Sequence, residues 1–231
     1  MMKEYPTYSN NERKWYKGLP KEWDLVRLKY ISDIILSNVD KKVKDDELHI
    51  QMCNYTHVYY NNEINDSIEF DDGSCNEREY EKFVLKKNDV IITKDSETQD
   101  DNGVPTFVSM DLPDVVCGYH LSIIRSNPNI LLGKYLFRLF QTQQIRDQFT
   151  VFSKGVTRYG ISKQNIDNIF IPLPKIDQQM EIVEFLDSKS KLIERYTNLS
   201  NEIEKNLFDF NSSIINQLVL GRIEVEEFSN D

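Results

Sequence analysis

The chain has 231 residues, enough for one ordinary domain with an extension or for two small domains. Hydrophobic residues make up 39% and aromatics 11%, which supplies a packed core and excludes the composition of a disordered chain. The net charge of -10 argues, taken alone, against nucleic acid as a partner, and no run of about 18 apolar residues offers a membrane span.

The opening stretch, MMKEYPTYSNNERKWYKGLP, is polar and lacks the apolar segment of a secretory signal. Residues 19–36 then bring Pro20 and Trp23, followed by Leu25, Leu28, Ile31 and Ile35 at a spacing that predicts a helix. From about 48 to 110 the signals are those of strands. LHIQMCNYTHVYY, EKFVLKK, DVIITK and PTFVSM are short, rich in β-branched and aromatic residues, and bounded by Asn, Asp, Gly and Pro. Residues 94–105, KDSETQDDNGVP, are too polar and breaker-rich for a regular element. DVVCGYHLSIIRS resumes the strand pattern.

Residues 131–149 return to helical spacing, with Leu132, Leu136, Leu139, Phe140 and Phe149 on or near one face. A loop follows, SKGVTRYGIS, in which two glycines bracket a Thr-Arg-Tyr triplet. In IFIPLP, Pro172 and Pro174 are expected to stop any regular element. Residues 177–219 contain neither Pro nor Gly, and Asp177 is the expected N-cap. Leu186, Ile193, Ser200, Leu207 and Ile214 recur every seven residues, and Tyr196, Ile203 and Phe210 form a second series three positions on. Phe185, Leu192 and Leu199 thicken this seam, and Gly221 ends it. Such a helix would run roughly 60 Å, too long for a domain of this size to cover, so the seam calls for a partner helix.

The catalytic inventory is poor. His49, His57 and His120 lack metal-ligand spacing, and no serine elbow, phosphate loop or dinucleotide fingerprint occurs, so no catalytic residue, metal or cofactor is expected. Cys53, Cys75 and Cys117 are odd in number and widely spaced, which fits reduced thiols and a cytoplasmic setting. Charge is distributed unevenly. Residues 118–163 hold Arg125, Lys134, Arg138, Arg146, Lys154, Arg158 and Lys163 against the single acid Asp147, a basic segment on an acidic body. GYH (118–120) and KGVTRYG (154–160) combine flexible backbone, an aromatic ring and donors. Arg can fork onto guanine O6 and N7, and Lys neutralises phosphate.

The run GVTRYGISKQNIDNIFIPLPKIDQQMEIVEFLD, with FVLKKNDVIITKDSETQDDNGVP, VVCGYHLSIIR and GLPKEWDLVRLKYI, resembles the DNA-specificity (S) subunit of type I restriction-modification systems over about residues 18–221. The resemblance implies an α+β chain: a β-rich target recognition domain with helices and an N-terminal arm (1–175), a long coiled-coil-type spacer and dimerisation helix (176–221), and a tail (222–231). It implies no enzymatic activity in the chain itself, double-stranded DNA as ligand, and methyltransferase subunits, with or without a restriction subunit, as partners. One recognition domain and one spacer helix, where the family carries two of each, imply a half-length form that pairs with itself or with another half subunit. The expected DNA-contacting residues are Lys94, Tyr119, His120, Lys154, Thr157, Arg158, Tyr159, Ser162 and Lys163. The expected pairing residues are Leu186, Ile193, Tyr196, Ile203, Leu207, Phe210 and Ile214. A second function class fits the same inventory: a coiled-coil scaffold or truncated remnant whose β-rich domain binds protein.

Overall fold

The computed structural model describes residues 5, 7, 8 and 15–224. Most of the expected N-terminal arm and the end of the expected tail lie outside the described residues. The chain divides into two compact units, Met1–Val183 and Glu184–Asp231.

In chain order the first unit carries β1 (Asp24–Arg27), a 3-10 turn (Leu28–Tyr30), β2 (Ser32–Leu36), β3 (Leu48–Cys53), α1 (Tyr55–Tyr60), β4 (Glu63–Ile64), β5 (Asp71–Cys75), α2 (Glu77–Phe83) and β6 (Val84–Leu85). It continues with β7 (Val90–Thr93), β8 (Asp95–Ser96), a 3-10 turn (Gln99–Asp101), β9 (Pro105–Val108), β10 (Leu112–Cys117), β11 (Leu121–Ser126), α3 (Gly133–Phe140) and α4 (Gln143–Phe152). A hairpin of β12 (Lys154–Gly155) and β13 (Tyr159–Gly160), then α5 (Lys163–Asp167) and β14 (Phe170–Leu173), complete it. The last helix, α6 (Ile176–Val219), begins in this unit and supplies the second. The fold is thus α+β, β-rich before a long C-terminal helix.

The sheet β2-β11-β7-β9-β4 is the wall of the first unit. Its central strands are apolar on both faces. Val90, Ile92 and Ile124 enter a core formed with α3, α4, α5 and β14, whereas Ile91, Leu121 and Ile123 enter a second core with the sheet β5-β3-β10-β6 and helices α1 and α2. That is why VIIT and LSII read as continuous apolar runs rather than alternating ones. An ion pair locks the wall: Arg125 donates from Nε and Nη2 to the two oxygens of Asp89, at 2.8 and 2.7 Å.

Several expectations need correction. Residues 19–36 are not a helix but β1, a 3-10 turn and β2. The β-branched run of SDIIL pairs in register with β11, and this tertiary pairing outweighs a chance 3–4 spacing. LHIQMCNYTHVYY is a strand only to Cys53. Asn54 then caps α1, its backbone N–H donating to His57 Nδ1 at 2.9 Å. EKFVLKK likewise begins as the end of α2, capped by Asn76 with Glu79. The polar stretch 94–105 holds β8, a 3-10 turn and the start of β9.

Pro172 does not break the chain: β14 pairs antiparallel with β1, Pro172 opposite Leu25. The N–H of Phe170 points away from β1, to buried Gln148 Oε1 at 2.8 Å. Two residues on, Pro172 faces the same way, so its missing donor removes no ladder bond. Finally, α6 starts at Ile176, so Asp177 lies inside its first turn rather than at the cap. Gln179 anchors that turn: it donates to Ile130 O and Pro174 O and accepts from Leu132 N, each at 2.9 Å. At the far end Gly221 takes φ +65°, and Arg222 N reaches back to Gln217 O at 2.8 Å, closing the helix as expected.

Candidate nucleic-acid interface

Three segments far apart in sequence meet at one surface. The turn 118–120 joins β10 to β11, the residues after β7 run into β8, and the β12–β13 hairpin adds to β8, forming the sheet β12-β13-β8. The backbone of Lys94 clips them together. Its N–H donates to His120 O at 3.0 Å, and its carbonyl accepts from Ile161 N at 2.9 Å. The register places Gly160 opposite Asp95 and Tyr159 opposite Ser96.

The hairpin explains one glycine of the SKGVTRYGIS loop. A Cβ at Gly155 would lie 1.9 Å from Arg158 O, so only glycine lets the chain close this turn. At Gly160 a Cβ would have 3.9 Å of clearance, and the backbone there does not require glycine. The apex, Val156 to Arg158, stands in solvent, with Val156 91% exposed.

Arg158 folds back from the apex. Its Nε and Nη2 both donate to Asp95 Oδ1, at 3.0 and 2.6 Å. His120 Nδ1 lies 2.6 Å from the same oxygen and 3.1 Å from Arg158 Nη2. The shorter contact assigns the ring proton to Nδ1, donating to the carboxylate. Tyr119 packs edge-on against His120, with centroids 4.8 Å apart, and is half exposed. Lys94 Nζ sits 4.9 Å from the Tyr119 ring centre and donates to Ser37 O at 2.6 Å. Burial lowers the pKa of its ammonium group.

Two hollows flank this cluster and share Asp95, His120 and Arg158 as their partition. One, of about 360 Å³, is completed by Tyr119, Lys154 and Tyr159. The other, of about 410 Å³, is completed by Tyr55, Tyr59 and Tyr60 of α1 with the acids Glu97 and Asp101. Tyr55 and Tyr59 stack, centroids 5.5 Å apart at 17°, and Tyr59 donates to Asp101 Oδ1 at 3.0 Å. That hydrogen bond raises the Tyr59 pKa.

The structure therefore brings together Lys94, Tyr119, His120, Lys154, Arg158 and Tyr159. Thr157 stands at the exposed apex. Ser162 and Lys163 lie apart from the hollows: Ser162 caps α5, accepting from Asn165 N at 3.2 Å, and Lys163 pairs with Asp167 at 2.9 Å along the same helix. The basic segment is also partly neutralised by acids outside it, because Arg125, Arg158 and Lys163 face Asp89, Asp95 and Asp167. Asp95 and the α1 tyrosines were missed by the sequence reading. Their signal was the 55/59 spacing, which puts two rings on one face once the segment is read as helix.

The cluster presents an exposed guanidinium, an exposed lysine and several half-exposed rings at one surface, on a unit that leads into a long helix. The chain belongs to the type I restriction modification DNA specificity domain family, whose sequence model matches residues 20–205.

Over 236 aligned positions it is 23% identical to the type I restriction enzyme MjaVIII specificity subunit of Methanocaldococcus jannaschii, covering 99% of this chain and 54% of the relative. Over 126 residues it is 25% identical to the HindI specificity subunit of Haemophilus influenzae, covering 54% of this chain and 27% of the relative. Among solved structures, the HsdS subunit from Thermoanaerobacter tengcongensis superposes with a TM-score of 0.59 at 17% identity, over 91% of this chain and 47% of that one. A chain from a study of complex assembly and conformational transition of the type I R-M system gives 0.64 at 18% identity, over 91% and 48%. These structural likenesses establish the fold. The chain spans about half the length of these structures and of the M. jannaschii subunit, and its 126-residue match covers about a quarter of the H. influenzae subunit.

Proposed function

We propose that the chain is the sequence-specificity component of a type I restriction-modification complex, reading one half of a bipartite DNA site and docking methyltransferase subunits. The observation that carries this reading is the family match, which runs through both the β-rich unit and most of the long helix, residues 20–205. In this reading residues 1–175 are the recognition domain and 176–221 the spacer and pairing helix. The complex works in the cytoplasm, where a restriction subunit joins it when cleavage is part of the system.

The second unit supports pairing. Leu186, Ile193, Tyr196, Ile203, Leu207, Phe210 and Ile214 are 36–65% exposed in the single chain. Covering one such Leu or Ile stabilises by about 1.5–3 kcal/mol, so a paired seam holds a dimer after association entropy is met. A second copy laid antiparallel offers the same stripe in return, which is the self-complementary contact of a two-fold dimer. Two identical readers would then take the same half-site on opposite strands. Half-site centres would lie about 34–36 Å apart, one helical turn.

Fluorescence anisotropy on a mixed-sequence duplex across a salt series, with light scattering on the same sample, tests the reading. Each phosphate neutralised should contribute about -0.9 to the slope of log K against log salt. A steep slope and a dimer mass are expected. Absence of DNA binding, together with capture of a protein by the β-rich unit, would transfer the chain to the scaffold class.

A further inference from the structure

The hairpin carries two cations in different circumstances. Lys154 is exposed, and its ammonium group has no partner among the described residues. Arg158 is tied side-on: Nε and Nη2 converge on Asp95 Oδ1, in a carboxylate only 18% exposed whose same oxygen also meets His120 Nδ1. What remains of the guanidinium is its end-on edge, Nη1 and the second hydrogen of Nη2, a nitrogen that also lies 3.1 and 3.5 Å from the ring nitrogens of His120. Nη1 makes no hydrogen bond to the described residues. That edge presents two parallel donors, the pattern that meets O6 and N7 of guanine. Its charge is offset by Asp95, and Glu97 and Asp101 line the neighbouring hollow, so a phosphate approaching Arg158 meets three carboxylates nearby. A base edge, which is neutral, meets no such repulsion.

We propose that Arg158 reads a guanine through its end-on edge, that Asp95 and His120 are positioning residues which hold the fork in plane, and that Lys154 of the same hairpin takes a phosphate. This rests on the DNA-specificity reading above and divides labour within it. Asp95 lowers affinity for DNA in general and raises discrimination, because an untied arginine would bind any phosphate in reach.

The test uses the full chain, tagged in its native host and purified with whatever subunits accompany it, and a randomised duplex pool sequenced before and after binding. The wild type should enrich a motif with one invariant guanine per half-site. Arg158→Lys keeps the charge and removes the fork. It should lose roughly 5- to 150-fold preference at that position alone, while affinity for unselected duplex and its salt slope stay as they were. Asp95→Asn should bind unselected duplex more tightly and discriminate less at the same position. Lys154→Ala should weaken binding to all sequences and reduce the salt slope by about one unit.

Arg158→Lys that retains the guanine preference, or that changes the salt slope without changing the motif, overturns the assignment and leaves the DNA reading standing. So does Asp95→Asn with unchanged discrimination. A wild-type sample that enriches no motif overturns the DNA reading and this inference with it.

Discussion

Replacing Arg125 with alanine should destabilise the first unit by about 3–5 kcal/mol. The magnitude follows from its partner. The Asp89 side chain is 1% exposed and that of Arg125 24%. Arg125 occupies both carboxylate oxygens and reaches Val84 O at 3.0 Å, while Lys86 N supplies one further donor to Asp89 Oδ2 at 2.9 Å. Without the guanidinium, Asp89 Oδ1 loses its partner and a carboxylate remains out of water. The stranded charge, more than the lost attraction, sets the cost. For a unit of this size 1 kcal/mol corresponds to about 2–4 °C, so the melting temperature should fall by roughly 6–20 °C, read by near-ultraviolet circular dichroism during a thermal ramp. The double variant Asp89→Ala with Arg125→Ala removes the stranded charge and should recover a good part of the loss. An Arg125→Ala protein melting within about 2 °C of the wild type would refute this reasoning. If that protein also bound DNA poorly, Arg125 would belong to the interface and not to the wall.

Gly155→Ala should lower affinity for the selected target duplex about tenfold or more, since the added Cβ meets Arg158 O and displaces the guanidinium, whereas Gly160→Ala should bind normally; anisotropy on that target duplex compares them. Cys53, Cys75 and Cys117 should resist alkylation near neutral pH. All three are buried, and burial raises their thiol pKa values, that of Cys75 to about 11, so the reactive thiolate is scarce until pH approaches that value or the chain unfolds. Mass spectrometry after iodoacetamide treatment, with and without denaturant, reads this directly, and rapid labelling of the folded protein would contradict it. Ile203→Asp should convert the proposed dimer to monomer in light scattering and leave the melting of the β-rich unit unchanged.

What could be read from the sequence was what depends on local pattern. The apolar runs VIIT and LSII announce buried strands because both faces of their sheet are covered. Helix α6 announces itself by 43 residues free of Pro and Gly (177–219) and by its seven-residue spacing. The misreadings share one cause, in that the deciding contact is distant. Residues 32–36 become strand because β11, some ninety residues on, offers an edge. Pro172 sits in a strand because Gln148 serves the open side of that strand. The candidate site was half legible. The hairpin and the GYH turn declare themselves by composition, but Asp95, which fixes Arg158, lies 63 residues upstream in a stretch that looks like plain loop.

The measurement that tests the central claim most directly is the methylated-base map of the native host genome, by single-molecule sequencing, with this coding sequence intact and then deleted. A specificity component pairing with its own copy predicts that deletion erases methylation at one motif, and that the motif is an interrupted palindrome with half-sites about one helical turn apart. A methylation map unchanged by the deletion would contradict the account.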